Sequence, residues 1–169
     1  MDNPKLQEYA QLLAKVAAKV AEIAQRQADA LQCRAGCHAC CAPELTVTAV
    51  EAAAIAEFLQ QNPPLLVDLL QLAQDDPWQG KRCAFLRADG QCGIYAVRPL
   101  VCRTQGLPIV LENGALTACE LNFLNGLETL PLPDRVDQRT LSTLLFVVNQ
   151  RFGGHARRAL TVEGVLGPR

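Results

Sequence analysis

The chain has 169 residues, half of them hydrophobic, and a net charge of −1. This size and apolar content predict one domain, residues 1–169, and the charge argues against a broad basic surface for nucleic acid. The polar start Met1–Lys5 is not a secretory signal, and no apolar run is long enough to span a membrane. We therefore expect a cytoplasmic protein without nucleic-acid or membrane partners.

The N-terminal segment predicts an amphipathic helix from about Pro4 to about Leu31, with proline in the first turn, where it is tolerated. Its apolar residues recur at alternating spacings of three and four and form one stripe: Leu6, Tyr9, Leu13, Val16, Val20 and Ile23. Such a stripe packs on its own domain or forms a coiled-coil seam. The chain is accordingly expected to be a monomer or a weak homodimer.

The eight cysteines are the chain's most informative feature. Thiolates are strong, soft ligands for zinc and for iron–sulfur clusters, whereas persistent disulfides are rare in a reducing cytosol. We therefore interpret the cysteines as a metal site rather than as four disulfides. The candidate ligands are Cys33, Cys37, Cys40, Cys41, Cys83, Cys92, Cys102 and Cys119.

The crowded first group, Cys33-x3-Cys37-x2-Cys40-Cys41, limits which metal it can hold. The adjacent side chains of Cys40 and Cys41 are expected to point in different directions, both in a helix and in a loop. One tetrahedral zinc ion would accept Cys37 and Cys40 readily, but it would not readily take Cys41 as a third ligand. Diverging thiolates suit a multi-iron cluster or two neighbouring sites, which narrowly favours an iron–sulfur cluster over Zn²⁺.

The spacing of the first three cysteines also matches the cluster motif of radical S-adenosylmethionine enzymes. Those enzymes resemble (β/α) barrels, and this chain has neither the length nor the alternation of strands and helices for that fold.

Two further helices are expected after the first cysteine group. Thr48 and Glu51 have the spacing of a capping box, which predicts a helix through about Gln61. A third, short helix is predicted over 65–74, between two proline-containing breaks.

Two Gly-containing turns then predict β-hairpins, one joining 83–86 to 91–95 and one joining 108–111 to 115–117. The last predicted helix covers 137–152 and ends at Gly153. We expect its core face to carry four residues: Leu141, Leu144, Leu145 and Val148. The tail after Ala159 carries no clear signal.

Together these elements predict a mainly α fold, a small helical domain with one or two short β-hairpins around a cysteine-rich metal site. Its parts are an N-terminal helix over 4–31, a metal-binding core over 33–119 and a C-terminal helix over 137–152. The terminal helices are expected to form an apolar scaffold onto which the metal locks the loop-rich middle.

Two blocks of sequence resemble the cysteine-cluster family of zinc- or iron-chelating domains, written CxxCxxCC and also called YkgJ-like. The first block is the Cys33–Cys41 group followed by Leu45-Thr-Val-Thr48. The second is Cys83-Ala-Phe-Leu86, then Cys92-Gly-Ile-Tyr95-x2-Arg98-Pro99-x2-Cys102-Arg103. The first gap here is three residues rather than two, and Ala84 stands where proline is often seen, but no ligand is lost.

The resemblance covers about half of the chain and implies cysteine-bound zinc or iron. Similar domains occur in flagellin lysine methylases, where an iron–sulfur cluster is implied, but the resemblance implies no activity for this chain. We expect four cysteines to be the least dispensable, because they anchor the two blocks: Cys37, Cys40, Cys92 and Cys102.

Charged and aromatic residues near the cysteines are candidates for supporting roles. Arg98 and Arg103 flank Cys102 and would stabilise an anionic thiolate site, or else pair with surface carboxylates such as Glu112 and Glu120. His38 lies inside the first group but is expected to face solvent rather than to replace a thiolate ligand. The aromatic residues of the middle segment are expected to wall the site or fill the core: Trp78, Phe85, Tyr95 and Phe123.

No phosphate loop, zinc-protease motif or nucleophile–base pair is recognisable in the sequence. Three functions remain open: an iron–sulfur protein with a redox or iron-dependent modification role, a zinc-stabilised structural or adaptor protein, and a metal-handling carrier. A protein partner or substrate is possible for each, and its identity is unknown.

Overall fold

The computed structural model describes residues 3–124 and 126–167 and confirms a mainly α-helical fold with short strands. The longest predicted segments are helical as expected, and no described helix is long and apolar enough to cross a membrane. The helices are α1 (Gln7–Arg26), α2 (Ala49–Gln61), α3 (Pro63–Asp75), α4 (Leu100–Thr104), α5 (Gln138–Phe152) and α6 (Val162–Leu166).

The strands are two residues each and form two small sheets. In the first, β1 (Thr46–Val47) pairs antiparallel with β5 (Arg158–Ala159). In the second, β2 (Ile109–Val110) pairs antiparallel with β3 (Leu116–Thr117) and parallel with β4 (Val136–Asp137). The hairpin predicted over 108–117 is thus confirmed, and β4 joins it from the segment before α5.

The other predicted hairpin contains a turn but no strands. Its two arms meet in one isolated bridge between Leu86 and Cys92. Asp89 accepts a hydrogen bond from the Gln91 amide at 2.9 Å, which closes the turn. The segment that follows turns into a 3-10 helix over Tyr95–Val97, so the second arm ends before a ladder can form.

The apolar stripe of α1 packs inside the chain, against α2, α4 and α5. Tyr9, Leu13 and Val16 are buried in one cluster with Val50 of α2 and Leu100 of α4. Three of the residues predicted on the core face of α5 pack against this cluster: Leu141, Leu145 and Val148. The fourth, Leu144, was placed wrongly, because it lies beside that face and is 46% exposed.

The helix predicted over 4–31 is interrupted near both of its ends. Pro4–Leu6 and Ala28–Ala30 are 3-10 turns on either side of α1. At the other end of the chain, the structure contains α6, in the tail where no element was predicted. The available signal was Thr161, whose side chain caps α6 by accepting from the Gly164 amide.

A second core cluster joins α2, α3 and α6 to the loop that carries Cys83 and Cys92. Phe85 and Ile94 from that loop are 0% and 2% exposed, and both cysteines pack against the same cluster. Burying an apolar side chain of this size contributes about 1.5–3 kcal/mol. The middle segment therefore has apolar anchors of its own: Phe85, which was among the aromatic residues expected to wall the site or fill the core, and Ile94, for which no burial was predicted.

Asp134 connects the segment before β4 to the end of α1. Its carboxylate accepts from Arg26 Nε and, at 2.6 Å, from Gln27 Nε2. The hydrogen bond from Gln27, and then the bond and charge of Arg26, hold the pKa of Asp134 below its usual range. A carboxyl group whose pKa is lowered by folding stabilises the folded state at pH values above its unfolded-state pKa. This stabilisation is lost as the pH falls through the folded-state pKa.

We predict that Asp134→Asn reduces the loss of stability on acidification. Urea unfolding measured across the acid range should show a shallower dependence on pH for the variant than for the wild type. Asp75→Asn, at an exposed carboxylate near the end of α3, is the control. Equal pH slopes for wild type and Asp134→Asn would contradict the prediction.

Candidate metal centre

Five of the eight cysteines share one neighbourhood between the first cysteine loop (residues 33–41), the 83–92 loop and α4. Their thiols are close enough for the charge on one to raise the pKa of others, as Cys83 and Cys92 do for Cys102. The loops are joined directly by a hydrogen bond of 3.0 Å from the Cys83 amide to the Cys41 carbonyl. The members of this group, here called the main cysteine group, are Cys40, Cys41, Cys83, Cys92 and Cys102.

The side chains of Cys40 and Cys41 contact each other, so the expectation that they diverge is wrong. Their mutual hydrogen bond is the main reason that the pKa of Cys40 is raised and that of Cys41 is lowered. The backbone explains the contact, because the Ala42 amide donates to the Cys40 carbonyl at 2.9 Å and closes a tight turn. This contact therefore favours ionisation of one thiol of the pair while the other keeps its proton.

Burial opposes ionisation of the three inner thiols. It raises the pKa of Cys83 and Cys92, and it raises that of Cys102 to about 12, with further contributions from neighbouring thiols. Backbone amides act in the opposite direction, since Phe85 donates to the sulfur of Cys83 and Ile94 to that of Cys92. Hydrogen bonds from amides to sulfur stabilise thiolates, which are the metal-binding form of cysteine.

Arg98 supplies positive charge to the main cysteine group. Its guanidinium lowers the pKa of Cys40, Cys92 and Cys102 and lies over the exposed ring of Tyr95, with Cζ 3.7 Å from the ring centroid. The buried Nε of Arg98 has no hydrogen-bond partner among the described residues. This placement supports the predicted role of Arg98 beside anionic sulfur.

Arg103 shapes the loop rather than pairing with a carboxylate. It donates to the carbonyls of Arg98 and Ala96 at 2.8 and 2.9 Å. In the part of the chain that the structure describes, the ion pairs do not include Arg98 or Arg103 with Glu112 or Glu120. Arg103 thereby fixes the turn that presents Arg98 to the sulfurs.

Cys102 is positioned by a buried carboxylate two helices away. Glu51 is 3% exposed and completes the predicted capping box of α2, since its Oε2 accepts from the amide and hydroxyl of Thr48 at 2.9 Å each. Its Oε1 accepts from the Leu100 amide, also at 2.9 Å. Glu51 therefore ties the start of α4, which carries Cys102, to the start of α2.

Cys33 and Cys119 lie together at a second location, around Gly106 and Asn122. Asn122 donates to the sulfur of Cys33 at 3.3 Å and to the Gly106 carbonyl at 2.7 Å. Gly106 has φ +92°, and a Cβ there would lie 3.1 Å from the sulfur of Cys33 and 3.9 Å from Cβ of Cys119. Only glycine suits both the backbone and the space.

Cys37 lies exposed in the loop between the two locations. Its amide donates to the Arg34 carbonyl at 3.0 Å, which closes a turn that contains Gly36. The structure describes no contact that joins Cys37 to the main cysteine group.

His38 does not face solvent as expected. Its ring packs against Trp78, with centroids 5.2 Å apart, and its buried Nδ1 has no hydrogen-bond partner among the described residues. Trp78 is held in place because its Nε1 donates to the Leu86 carbonyl at 3.1 Å. Of the other predicted aromatic residues, Phe85 and Phe123 are buried and Tyr95 is 63% exposed.

Within residues 3–124 and 126–167, no three Cys, His, Asp or Glu side chains converge closely enough to hold one ion as they stand. The donor chemistry nevertheless fits zinc or iron, because the main cysteine group offers soft ligands, amide donors to sulfur and a neighbouring guanidinium. Cys40 is exposed and the other four members are half-buried. Binding would thus draw together thiols that already lie on one side of the fold.

We predict that Arg98→Met shifts metal binding to higher pH. Loss of the guanidinium raises the thiol pKa values of Cys92 and Cys102, so protons compete more strongly with the metal. Competition between Zn²⁺ and a chelator should be measured as a function of pH. Arg87→Met is the control, because Arg87 is exposed and pairs with Asp89. A pH curve for Arg98→Met that superimposes on the wild-type curve would contradict the prediction.

The comparison with known protein families agrees with this donor set. Residues 32–120, more than half of the chain, match the model of the CxxCxxCC family, described as "Putative zinc- or iron-chelating domain". The matched range begins just before Cys33 and ends just after Cys119, so it contains all eight cysteines. No curated protein and no solved structure matches the chain. The chain therefore belongs to the CxxCxxCC family of metal-chelating, cysteine-rich domains.

Proposed function

We propose that the main cysteine group holds an iron–sulfur cluster and that the protein acts through this centre as a redox protein. The observation that carries the proposal is that five thiols from two loops and α4 lie in one neighbourhood, near enough to affect one another's ionisation, two of them with amide donors at sulfur. Such hydrogen bonds stabilise cluster-bound thiolates and tune the reduction potential.

The number of sulfurs supports a centre with more than one metal ion. A single tetrahedral zinc is satisfied by four ligands, and this group offers five. The contact between Cys40 and Cys41 lets two adjacent residues serve neighbouring metal ions of one cluster. Iron is favoured here by the contact of this pair and by the number of thiols, and not by divergence of the two side chains.

Position and charge support electron exchange at the surface. Cys40 is exposed, so one edge of the centre would face solvent, and Tyr95, whose ring lies under the guanidinium of Arg98, is also exposed. The guanidinium of Arg98 would offset the negative charge of a thiolate-bound cluster. A redox partner or an iron-dependent modification step would therefore use this edge.

A zinc-stabilised structural or adaptor protein is the second candidate. It is favoured by the sparse backbone pairing of the 83–92 loop, whose arms share one bridge. A zinc ion bound across Cys41, Cys83, Cys92 and Cys102 would hold this loop to the first cysteine loop and α4. In that case the centre would have no redox role, because Zn²⁺ does not change oxidation state.

Anaerobic purification followed by metal and sulfide analysis distinguishes the two candidates. We expect bound iron with acid-labile sulfide and a visible absorption at about 400 nm, which iron–sulfur clusters show and zinc does not. Stoichiometric zinc without colour would establish the second candidate. A metal-free protein with disulfides resolved by mass spectrometry would refute both.

We predict that serine substitutions divide the cysteines according to location. Cys83→Ser, Cys92→Ser and Cys102→Ser should each lose most of the bound metal, because each removes a thiolate from the main cysteine group. Cys33→Ser is the matched control, at the second location beside Gly106. If the control lost as much metal as the others, all the cysteines would serve one centre and the division would be wrong.

Removal of the metal is predicted to loosen the loops while leaving the helices folded. The helices are joined through two apolar clusters, whereas the first cysteine loop and the 83–92 loop meet through few backbone bonds. After chelation, circular dichroism should retain its helical signal while amide exchange accelerates around 33–45 and 76–92. Because Phe85 and Ile94 are buried, amide exchange should accelerate less in the residues that follow them. Loss of the whole helical signal would contradict the prediction that the helices stay folded without metal.

A further inference from the structure

Tyr9 carries a buried hydroxyl that the fold alone does not explain. The residue is 1% exposed on α1, and its ring packs in the cluster that contains Val50 and Leu100. Its hydroxyl has no hydrogen-bond partner among the described residues. A phenylalanine would fill the same space without leaving a polar group unsatisfied.

The groups around this hydroxyl identify what it faces. Burial, and then the charge of Glu51, raise the pKa of Tyr9, with a smaller contribution in the same direction from Cys102. The guanidinium of Arg103 acts in the opposite direction. The hydroxyl therefore keeps its proton, is available as a donor, and lies where α1 meets the helix that carries Cys102.

Two of these three neighbours already have other partners. Arg103 has no acceptor atom, and its guanidinium donates to the Arg98 and Ala96 carbonyls. Glu51 accepts from Thr48 and from Leu100, and Tyr9 is not among its donors. The sulfur of Cys102 accepts no hydrogen bond among the described residues, and it is the neighbour whose acceptor strength metal binding would change.

Cys102 also differs from the other inner thiols in its surroundings. Backbone amides donate to the sulfurs of Cys83 and Cys92, but in the part of the chain that the structure describes no hydrogen bond affects the ionisation of Cys102. A metal-bound cysteine is a thiolate, which accepts hydrogen bonds far better than a thiol. Among the three inner thiols, Cys102 is thus the one without a donor at its sulfur.

We propose that the Tyr9 hydroxyl donates a hydrogen bond to the Cys102 sulfur when that thiolate binds metal, making Tyr9 a positioning residue of the centre. This inference rests on the proposed metal centre and adds a residue of α1 to it. It also explains the unsatisfied hydroxyl, because metal binding would convert its acceptor, the Cys102 thiol, into a thiolate. The donor orients the sulfur and withdraws electron density from it.

Tyr9→Phe tests this inference because the two possible roles of the hydroxyl predict opposite effects. Without metal, removal of an unsatisfied buried hydroxyl should leave the thermal midpoint unchanged or raise it. With metal, the same change should weaken Co²⁺ binding about tenfold, as expected for the loss of a hydrogen bond to a ligand. The cobalt–thiolate absorption band should also shift, since the electron density on Cys102 changes.

Tyr95→Phe is the matched control, since Tyr9 and Tyr95 are the only two tyrosines in the chain. The ring of Tyr95 is exposed and stacked under Arg98, whose guanidinium acts on the thiols of the main cysteine group. Its hydroxyl should affect neither the affinity for Co²⁺ nor the absorption band. Chelator competition and absorption spectra of wild type and both variants complete the experiment.

Equal affinity and an identical spectrum for wild type and Tyr9→Phe would overturn the inference while leaving the metal centre intact. An equal loss of stability with and without metal would overturn it as well, because it would show a structural role unrelated to the thiolate. Failure of the wild type itself to bind Co²⁺ would refute thiolate binding of a single divalent ion at this group, and this inference with it, whereas iron and sulfide analysis would still decide the proposed cluster.

Discussion

The buried carboxylate of Glu51 is the interaction on which the arrangement of the cysteines depends. Its two oxygens hold the start of α2 and the start of α4 in fixed relation. An amide left without its acceptor in such a place costs about 1–3 kcal/mol, so α4 cannot move away from α2 cheaply. Because α4 is only five residues long, this anchor determines where Cys102 lies relative to the loops that carry the other thiols.

The main cysteine group balances two opposing demands. Burial against the apolar core defines where Cys83, Cys92 and Cys102 lie, but it raises their pKa values and opposes the thiolate form that metals bind. The amides of Phe85 and Ile94 and the charge of Arg98 offset part of this cost. A bound cation would supply the rest, which couples metal binding to the ordering of the loops.

Separation of the cysteines into two locations has a simple steric origin. Residues 30–33 run beside 119–123, where the Phe123 amide donates to the Ala30 carbonyl and Asn122 accepts from the Gln32 amide. Gly106 leaves the space into which the sulfur of Cys33 fits. The first and last cysteines of the chain therefore meet each other rather than the five that lie near α4.

Much of the fold and the chemical class of the site could be predicted from the sequence. The 3.6-residue periodicity of α1, the Thr48–Glu51 capping box and the Gly153 stop are local signals, and local hydrogen bonds and burial of one helix face enforce them. The richness in cysteine likewise indicated a thiolate metal site, which the family match supports. These features depend on residues close together in the chain.

Other features were decided only by tertiary contacts. The packing of His38 on Trp78 depended on a residue forty positions away, whereas the contact of Cys40 and Cys41 follows from a local turn closed by Ala42 that residue spacing does not predict. The grouping of five thiols, the placement of Tyr9 against α4 and the second use of Glu51 as an anchor likewise join distant segments. The sequence by itself determined which ligands are available and which helices form, because propensity and periodicity are local. Only the tertiary structure decided which sulfurs meet, because that depends on which buried side chains pack between the segments that carry them.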